Sequence, residues 1–139
     1  MEREERQRIV NEVLGNFGLL RVKDQLIGDA YIRGISGGQK RRTTLARGFV
    51  GGAQIVFADE PTSGLSATDA ELCVRAMRRA SESKGVTFVV VIHQPRVEVA
   101  QMFDHLLLMT ANPGRVVYNG PFRAAAAYFT KAGHSPDKV

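Results

Sequence analysis

The sequence predicts an α/β fold built on a parallel sheet, and three observations point to it. Ile55-Val56-Phe57-Ala58 and the stretch from Val86 to Ile92 are short apolar runs without alternation, the pattern of strands covered on both faces. Between them, Ser66-Ala67-Thr68-Asp69 opens an amphipathic segment that runs to about Glu82, and Gly85 closes the turn. Strand, helix and strand in that order make a crossover unit, which leaves the strands parallel and their carboxyl ends on one edge of the sheet.

Composition sets the frame for this reading. With 139 residues, 44% apolar and 24% charged, the chain has material for one modest core and is not a disordered tail. No apolar stretch approaches the roughly eighteen residues that a membrane span needs, so any membrane role comes through a partner or another segment. The start, MEREERQRIV, carries charges of both signs with no apolar stretch behind it, which argues against a signal peptide and for the cytosol. A net charge of +5 raises the possibility of a nucleic-acid partner. The basic residues are scattered, however, at Arg21, Lys23, Arg75, Arg78, Arg79, Arg115 and Lys131. The one cluster, Lys40-Arg41-Arg42, has no interleaved aromatics to stack bases, and reads as a solvated basic face. The expectation is no nucleic-acid partner. The single cysteine, Cys73, sits among apolar residues at helical spacing and reads as a reduced core thiol.

The elements follow in chain order. Arg6 to Leu20 places Ile9, Val10, Val13, Leu14 and Phe17 on one helical face, with a stop near Gly18. A polar stretch runs to Ile35. Ser36-Gly37-Gly38-Gln39 then fits the capping box, in which serine accepts from a backbone N–H three residues on and glutamine reaches back, so a helix is expected from about Gly38 to Val50. Gly51 to Gln54 breaks it before the first apolar run. After the second run, Val99, Met102 and Phe103 suggest a short helix and Leu106 to Met109 a strand. Asn112-Pro113-Gly114-Arg115 has tight-turn residues, and Val116-Val117-Tyr118 would return as the hairpin partner. Asn119-Gly120-Pro121 reads as a further turn into an alanine-rich helix through Phe129.

The edge where the parallel strands end receives Asp59 and Glu60 from one run and His93 from the other, and ligands of open α/β sheets bind at such edges. Two acids and a histidine there make a candidate site. The alternative is that all three merely end their strands as loop polars. His105 and His134 have no ligand spacing to any cysteine or acid and read as surface residues.

Three segments in order carry a resemblance to a known family. Ser36-Gly37-Gly38-Gln39-Lys40, then Ile55 to Leu65 (IVFADEPTSGL), then His93-Gln94-Pro95, resemble the signature motif, Walker B strand with D-loop, and switch histidine of the ATP-binding-cassette (ABC) ATPases. Ile32-Arg33-Gly34-Ile35, His93-Gln94-Pro95-Arg96 and Tyr118-Asn119-Gly120-Pro121 are similar to the transporters of subfamily G, the white and pleiotropic-drug-resistance type. The resemblance implies that residues 1–139 form the C-terminal part of a nucleotide-binding domain with the P-loop NTPase-like core of ABC ATPases and a helical signature segment.

In that family ATP and Mg²⁺ are the cofactors, and the resemblance assigns roles residue by residue. Ser36, Gly37, Gly38 and Gln39 would grip the γ-phosphate of an ATP held mainly by the opposite cassette, using the free N–H groups and partial positive charge of a helix N-terminus. Asp59 would hold Mg²⁺ through water, Glu60 would orient and polarise the attacking water, and His93 would contact the γ-phosphate. The implied partners are a second nucleotide-binding domain and the transmembrane domain of a transporter for a lipophilic substrate class, with this domain on the cytosolic face of the membrane. A soluble cassette ATPase and a non-hydrolytic half-cassette that binds and regulates a complete one remain as alternatives.

Two departures qualify the match. The family's phosphate cradle, Gly-x-x-x-x-Gly-Lys followed by Ser or Thr, occurs nowhere in the sequence, and neither the Q-loop glutamine nor the adenine-stacking aromatic has a recognisable counterpart. The segment alone is therefore expected to have no appreciable ATPase activity. Ser66 stands where the family usually carries the D-loop aspartate, which implies slower hydrolysis rather than none.

Overall fold

The structure, a computed structural model, describes residues 2–134. The chain divides between Pro95 and Arg96 into two compact units.

The first unit begins with helix α1 (Arg3–Asn16), which starts three residues before the expected Arg6. Glu4 and Glu5 in its first turn face the positive end of the helix dipole, which favours the earlier start. The helix stops before Gly18, whose φ of +66° takes the chain out of the helical region. A short 3₁₀ turn, Leu20–Val22, leads into the loop before helix α2 (Gly37–Val50). That loop is pinched at its neck: Leu26 and Ile35 are joined by a backbone bond of 3.0 Å, and Gly28 and Gly34 touch backbone to backbone. It was expected to be polar, yet it displays Leu26, Ile27, Tyr31 and Ile32 to solvent, because its conformation is set by the glycines and by Asp29 rather than by apolar burial. Asp29 Oδ1 accepts from the N–H groups of Tyr31 and Ile32, and these bonds hold its carboxyl below the usual carboxylate range.

Strand β1 (Ile55–Asp59), helix α3 (Ala67–Lys84) and strand β2 (Thr87–Val91) form the expected crossover unit. The strands pair in parallel, with Ile55 opposite Thr87 and Asp59 opposite Val91. Helix α3 is capped at both ends: Ser66 Oγ accepts from Asp69 N–H, and Gly85 closes it at φ +66°. Val13, Phe17, Leu19, Ala46, Phe49, Ala76, Ala80 and Val86 form the core, with Val56 and Phe88 of the sheet packed against it. The ring of Phe49 lies 5.2 Å from Phe17 and 5.1 Å from Phe88, so one aromatic row joins α1, α2 and β2.

One expectation about this sheet does not hold. Val56 and Ala58 of β1 face the helices, but Ile55, Phe57, Val89 and Val91 lie on the opposite face and are open to solvent, Phe57 at 78%. The runs are continuous in apolar character, as for strands buried twice, yet among the described residues the helices that pack on β1 and β2 cover one face only.

The second unit comprises helix α4 (Val97–Ala100), strands β3 (His105–Met109) and β4 (Val116–Pro121), a 3₁₀ turn at Phe122–Ala124 and helix α5 (Ala125–Lys131). The strands form the expected antiparallel hairpin around Asn112–Arg115, with an irregularity between Leu108 and Met109. Asn119-Gly120-Pro121, expected as a turn, instead completes β4, because Leu107, Leu106 and His105 offer it partners in register. Tyr118 explains the glycine: its hydroxyl donates to Pro121 O at 2.7 Å and passes 2.9 Å from where a Gly120 side chain would begin. Tyr118, Tyr128 and Phe129 pack as a ring cluster with centroids 5.1 to 6.0 Å apart.

Candidate functional site

Parallel pairing delivers Asp59 and His93 to the same end of the sheet. Glu60 continues the ladder by one bond, its N–H donating to Val91 O at 2.9 Å, and then leaves it. Its φ is +44°, in the left-handed region that side-chain-bearing residues rarely enter, and Gln94 beside His93 has φ +45°. The turn at Glu60 aims its side chain along the sheet edge, and His93 Nε2 lies 3.3 Å from Glu60 Oε1. Both are well exposed, His93 at 75% and Glu60 at 47% of the side chain, and Asp59 is exposed beside them. A carboxylate within hydrogen-bond reach of an imidazole at an open strand edge can orient a water and exchange a proton with it.

The second group of candidate residues lies at the start of α2. The capping box is complete, with Gln39 N–H donating to Ser36 Oγ at 3.2 Å and Ser36 N–H donating to Gln39 Oε1 at 2.8 Å. The Gln39 side chain is thereby committed to the cap. Gly37 is exposed with nothing within 4 Å of a would-be Cβ, so a ligand can approach its backbone. Gly38 differs. It is buried, and a Cβ there would lie 2.1 Å from Asp69 Oδ1, so its bare backbone lets α2 meet α3. Among the described contacts none joins Ser36–Gln39 directly to Asp59, Glu60 or His93.

What links the two groups is the basic cluster. Lys40-Arg41-Arg42, expected as a solvated face, turns inward, because three successive helical positions at this point in α2 face a loop, a strand end and a neighbouring helix. Lys40 Nζ donates to Gly28 O at 3.0 Å. Arg41 Nε donates to Pro61 O at 2.9 Å, and its Nη2 donates to Glu60 O and, at 3.5 Å, to Asp59 O. Arg42 is 7% exposed, with Nη1 3.7 Å from Asp69 Oδ1. Arg41 and Asp69 thus join the site as supporting residues that the motif pattern does not mark. The trace of Arg41 in the sequence is the unbroken run of three cations inside an otherwise amphipathic helix, and Asp69 is visible there only as part of the helix start at Ser66.

Cys73 lies in the core under this arrangement, its Sγ 3.7 Å from Pro61 O, as expected for a buried thiol. Burial pushes it up to about 11, outweighing the pull of Arg42 and Arg41. His105 is exposed and bonded to Asn119 Oδ1 at 2.7 Å, and His134 stacks edge-on to Phe129. Among the described residues no group of three or more His, Cys, Asp or Glu could hold a metal by itself. An exposed Asp59 does fit Mg²⁺, a hard cation that is commonly held by one or two carboxylates together with substrate phosphates and water.

Comparison with known proteins gives a consistent picture. The family model described as ABC transporter matches residues 1–63. The chain is 36% identical to the broad substrate specificity ATP-binding cassette transporter ABCG2 of Sus scrofa, over 97% of this chain and 20% of that protein. It is 38% identical to ABC transporter G family member 25 of Arabidopsis thaliana, over 98% of this chain and 20% of the relative. G family member 7 of the same plant is 42% identical over 85% of this chain and 16% of its own length. The chain therefore spans about a fifth of these relatives. Among solved structures, an ATP-binding cassette of an ABC transporter in its ADP conformation superposes with a TM-score of 0.71, at 20% identity, over 96% of this chain and 52% of that one. The cbiO1 protein of Clostridium perfringens, part of the ABC transporter complex cbiONQ, superposes at 0.74 and 22% identity, over 91% and 47%. The fold is that of part of an ABC cassette, with the parallel pair in its sheet.

Proposed function

Because this chain belongs to the ATP-binding cassettes of ABC transporters, with homologues in the G family, we propose that it supplies the signature and hydrolytic half of a cytosolic motor domain. In this reading ATP binding and hydrolysis drive transport of a lipophilic substrate class through an attached transmembrane domain, and the cassette works against a second one. Among the described residues no helix is long and apolar enough to cross a membrane.

The observation that carries the reading is the 3.3 Å approach of His93 to Glu60 at the strand edge that also bears Asp59. Glu60 holds the attacking water and draws on its proton as the bond to phosphorus forms. His93 contacts the γ-phosphate and offsets charge developing there, the kind of positioning and electrostatic work that dominates phosphoryl transfer. Asp59 would hold Mg²⁺, which when bound neutralises phosphate charge. Gly37 and the capped start of α2 offer backbone N–H groups to the γ-phosphate of the nucleotide on the opposite cassette.

The test is magnesium-dependent ATP hydrolysis by the full-length protein. Glu60→Gln should lower turnover by about a hundredfold or more while ATP still binds, the range lost with a positioned general base. The chain of residues 1–139 by itself should be inactive, since it has no phosphate cradle; magnesium-dependent turnover by that chain, abolished by Glu60→Gln, would contradict the half-site reading. An immunoblot of source cells separates the regulatory alternative. A membrane band several times larger than 15.2 kDa supports the motor reading, and a soluble band of that size supports a free half-cassette.

A further inference from the structure

Glu60 holds its backbone in a conformation that its own side chain disfavours, and such a residue persists only where its surroundings over-determine it. Two restraints act on it. Its N–H is fixed by Val91 O at 2.9 Å, and its carbonyl is held from the other side by the Arg41 guanidinium and by Ser63 N–H at 3.1 Å. Arg41 does more than touch one group: it donates to the carbonyls of Asp59, Glu60 and Pro61, three consecutive residues spanning the point where β1 ends. A planar fork of N–H groups can bracket a turn in this way, and a lysine ammonium cannot.

Arg41 belongs to α2, four residues after Gly37 and about 6 Å along the helix from it by the rise per residue. One helical turn and one guanidinium therefore separate the exposed start of α2 from the backbone of Glu60. We infer that Arg41 is a positioning residue that ties the phosphate-facing end of α2 to the orientation of the Glu60 carboxylate. The consequence is directional: a displacement of α2 by whatever binds at Ser36–Gly37 pulls on the Glu60 carbonyl and re-aims its carboxylate relative to His93. The role of the pull in hydrolysis rests on the reading of Glu60 given above; the grip of Arg41 on the turn stands on the contacts alone.

The experiment compares wild type, Arg41→Met and Arg41→Lys in the full-length protein by ATPase kinetics and by hydrogen exchange. The Ser63 and Leu65 amides, bonded to Glu60 O and Thr62 O, report the turn itself. Loss of a charged hydrogen-bond donor should speed their exchange about tenfold in Arg41→Met. Turnover should fall about tenfold or more with KM for ATP little changed, as misplacement of a reacting group does. Arg41→Lys should recover part of both, since it keeps the charge and one contact, and it serves if Arg41→Met does not fold. Unchanged exchange at Ser63 and Leu65 in the folded variants overturns the inference, as does a raised KM with turnover intact. If wild type hydrolyses no ATP while exchange still responds to Arg41, the proposed function fails and the restraint on Glu60 survives.

Discussion

Gly38 lies so close to the Asp69 carboxylate that a methyl group in its place would fall 2.1 Å from Oδ1 and 2.4 Å from the carboxyl carbon. Asp69 cannot simply swing aside, because its backbone N–H and carboxylate are both bonded to Ser66. Gly38→Ala should therefore separate α2 from α3 at a cost of about 1–3 kcal/mol, the usual penalty for overpacking. Gly37→Ala, in open space, should change stability by less than about 0.5 kcal/mol. Thermal denaturation of the two variants checks the contrast, and equal melting temperatures would count against this packing.

Ser66 does two things for Asp69: it accepts from the backbone N–H and donates its hydroxyl proton to Oδ2 at 3.1 Å. An aspartate can replace the first and not the second. Ser66→Asp should thus keep the helix start but set two carboxylates against each other, lowering stability by about 0.5–1 kcal/mol. In the full-length protein the same change should raise the ATPase rate, if the missing D-loop carboxylate slows hydrolysis. A rate equal to wild type would remove that explanation for Ser66.

Cys73 adds a pH dependence at the alkaline end. Below its ordinary value of 9.0 the thiol is protonated in folded and unfolded chains alike, so stability is unaffected. Between 9.0 and about 11 the unfolded chain releases a proton that the folded chain keeps, so stability falls as pH rises through this window. Wild type should lose more melting temperature across it than Cys73→Ala, and parallel curves would refute the assignment. The native thiol should also resist alkylation at neutral pH until the chain is unfolded.

The aromatic row and the open sheet face predict opposite sensitivities. Phe49, between Phe17 and Phe88, should cost about 3–5 kcal/mol when truncated to alanine. Phe57, almost fully exposed, should cost under about 0.5 kcal/mol in the 139-residue chain. Phe57→Ser should also make that chain less prone to aggregate, which light scattering would detect.

The crossover unit was legible in the sequence because its cues are local: Ser66 and Gly85 mark the ends of α3, and the apolar runs mark β1 and β2. Glu60 and His93 were legible as a pair because parallel strands end on one edge, and topology alone then sets them side by side. Their 3.3 Å contact also depends on the left-handed turn at Glu60, which no propensity marks at a residue with a side chain. The inward turn of Arg41 and Arg42 was hidden for a different reason. Charge in a sequence reads as exposure, and only tertiary packing shows that these guanidinium groups meet main-chain carbonyls and Asp69. The open face of Phe57 ran the other way, since a composition suited to double burial does not reveal what lies against it.

The ring cluster of Tyr118, Tyr128 and Phe129 gives the molecule two separate optical signals. The chain has no tryptophan and three tyrosines, and the third, Tyr31, is 97% exposed in the pinched loop. Near-ultraviolet ellipticity therefore comes chiefly from the hairpin unit that begins at Arg96, where Tyr118 is held in an asymmetric packed environment. Far-ultraviolet ellipticity comes chiefly from the other unit, which contains the three long helices. A single heating experiment read in both spectral regions reports the unfolding of each unit on its own, without a label in either.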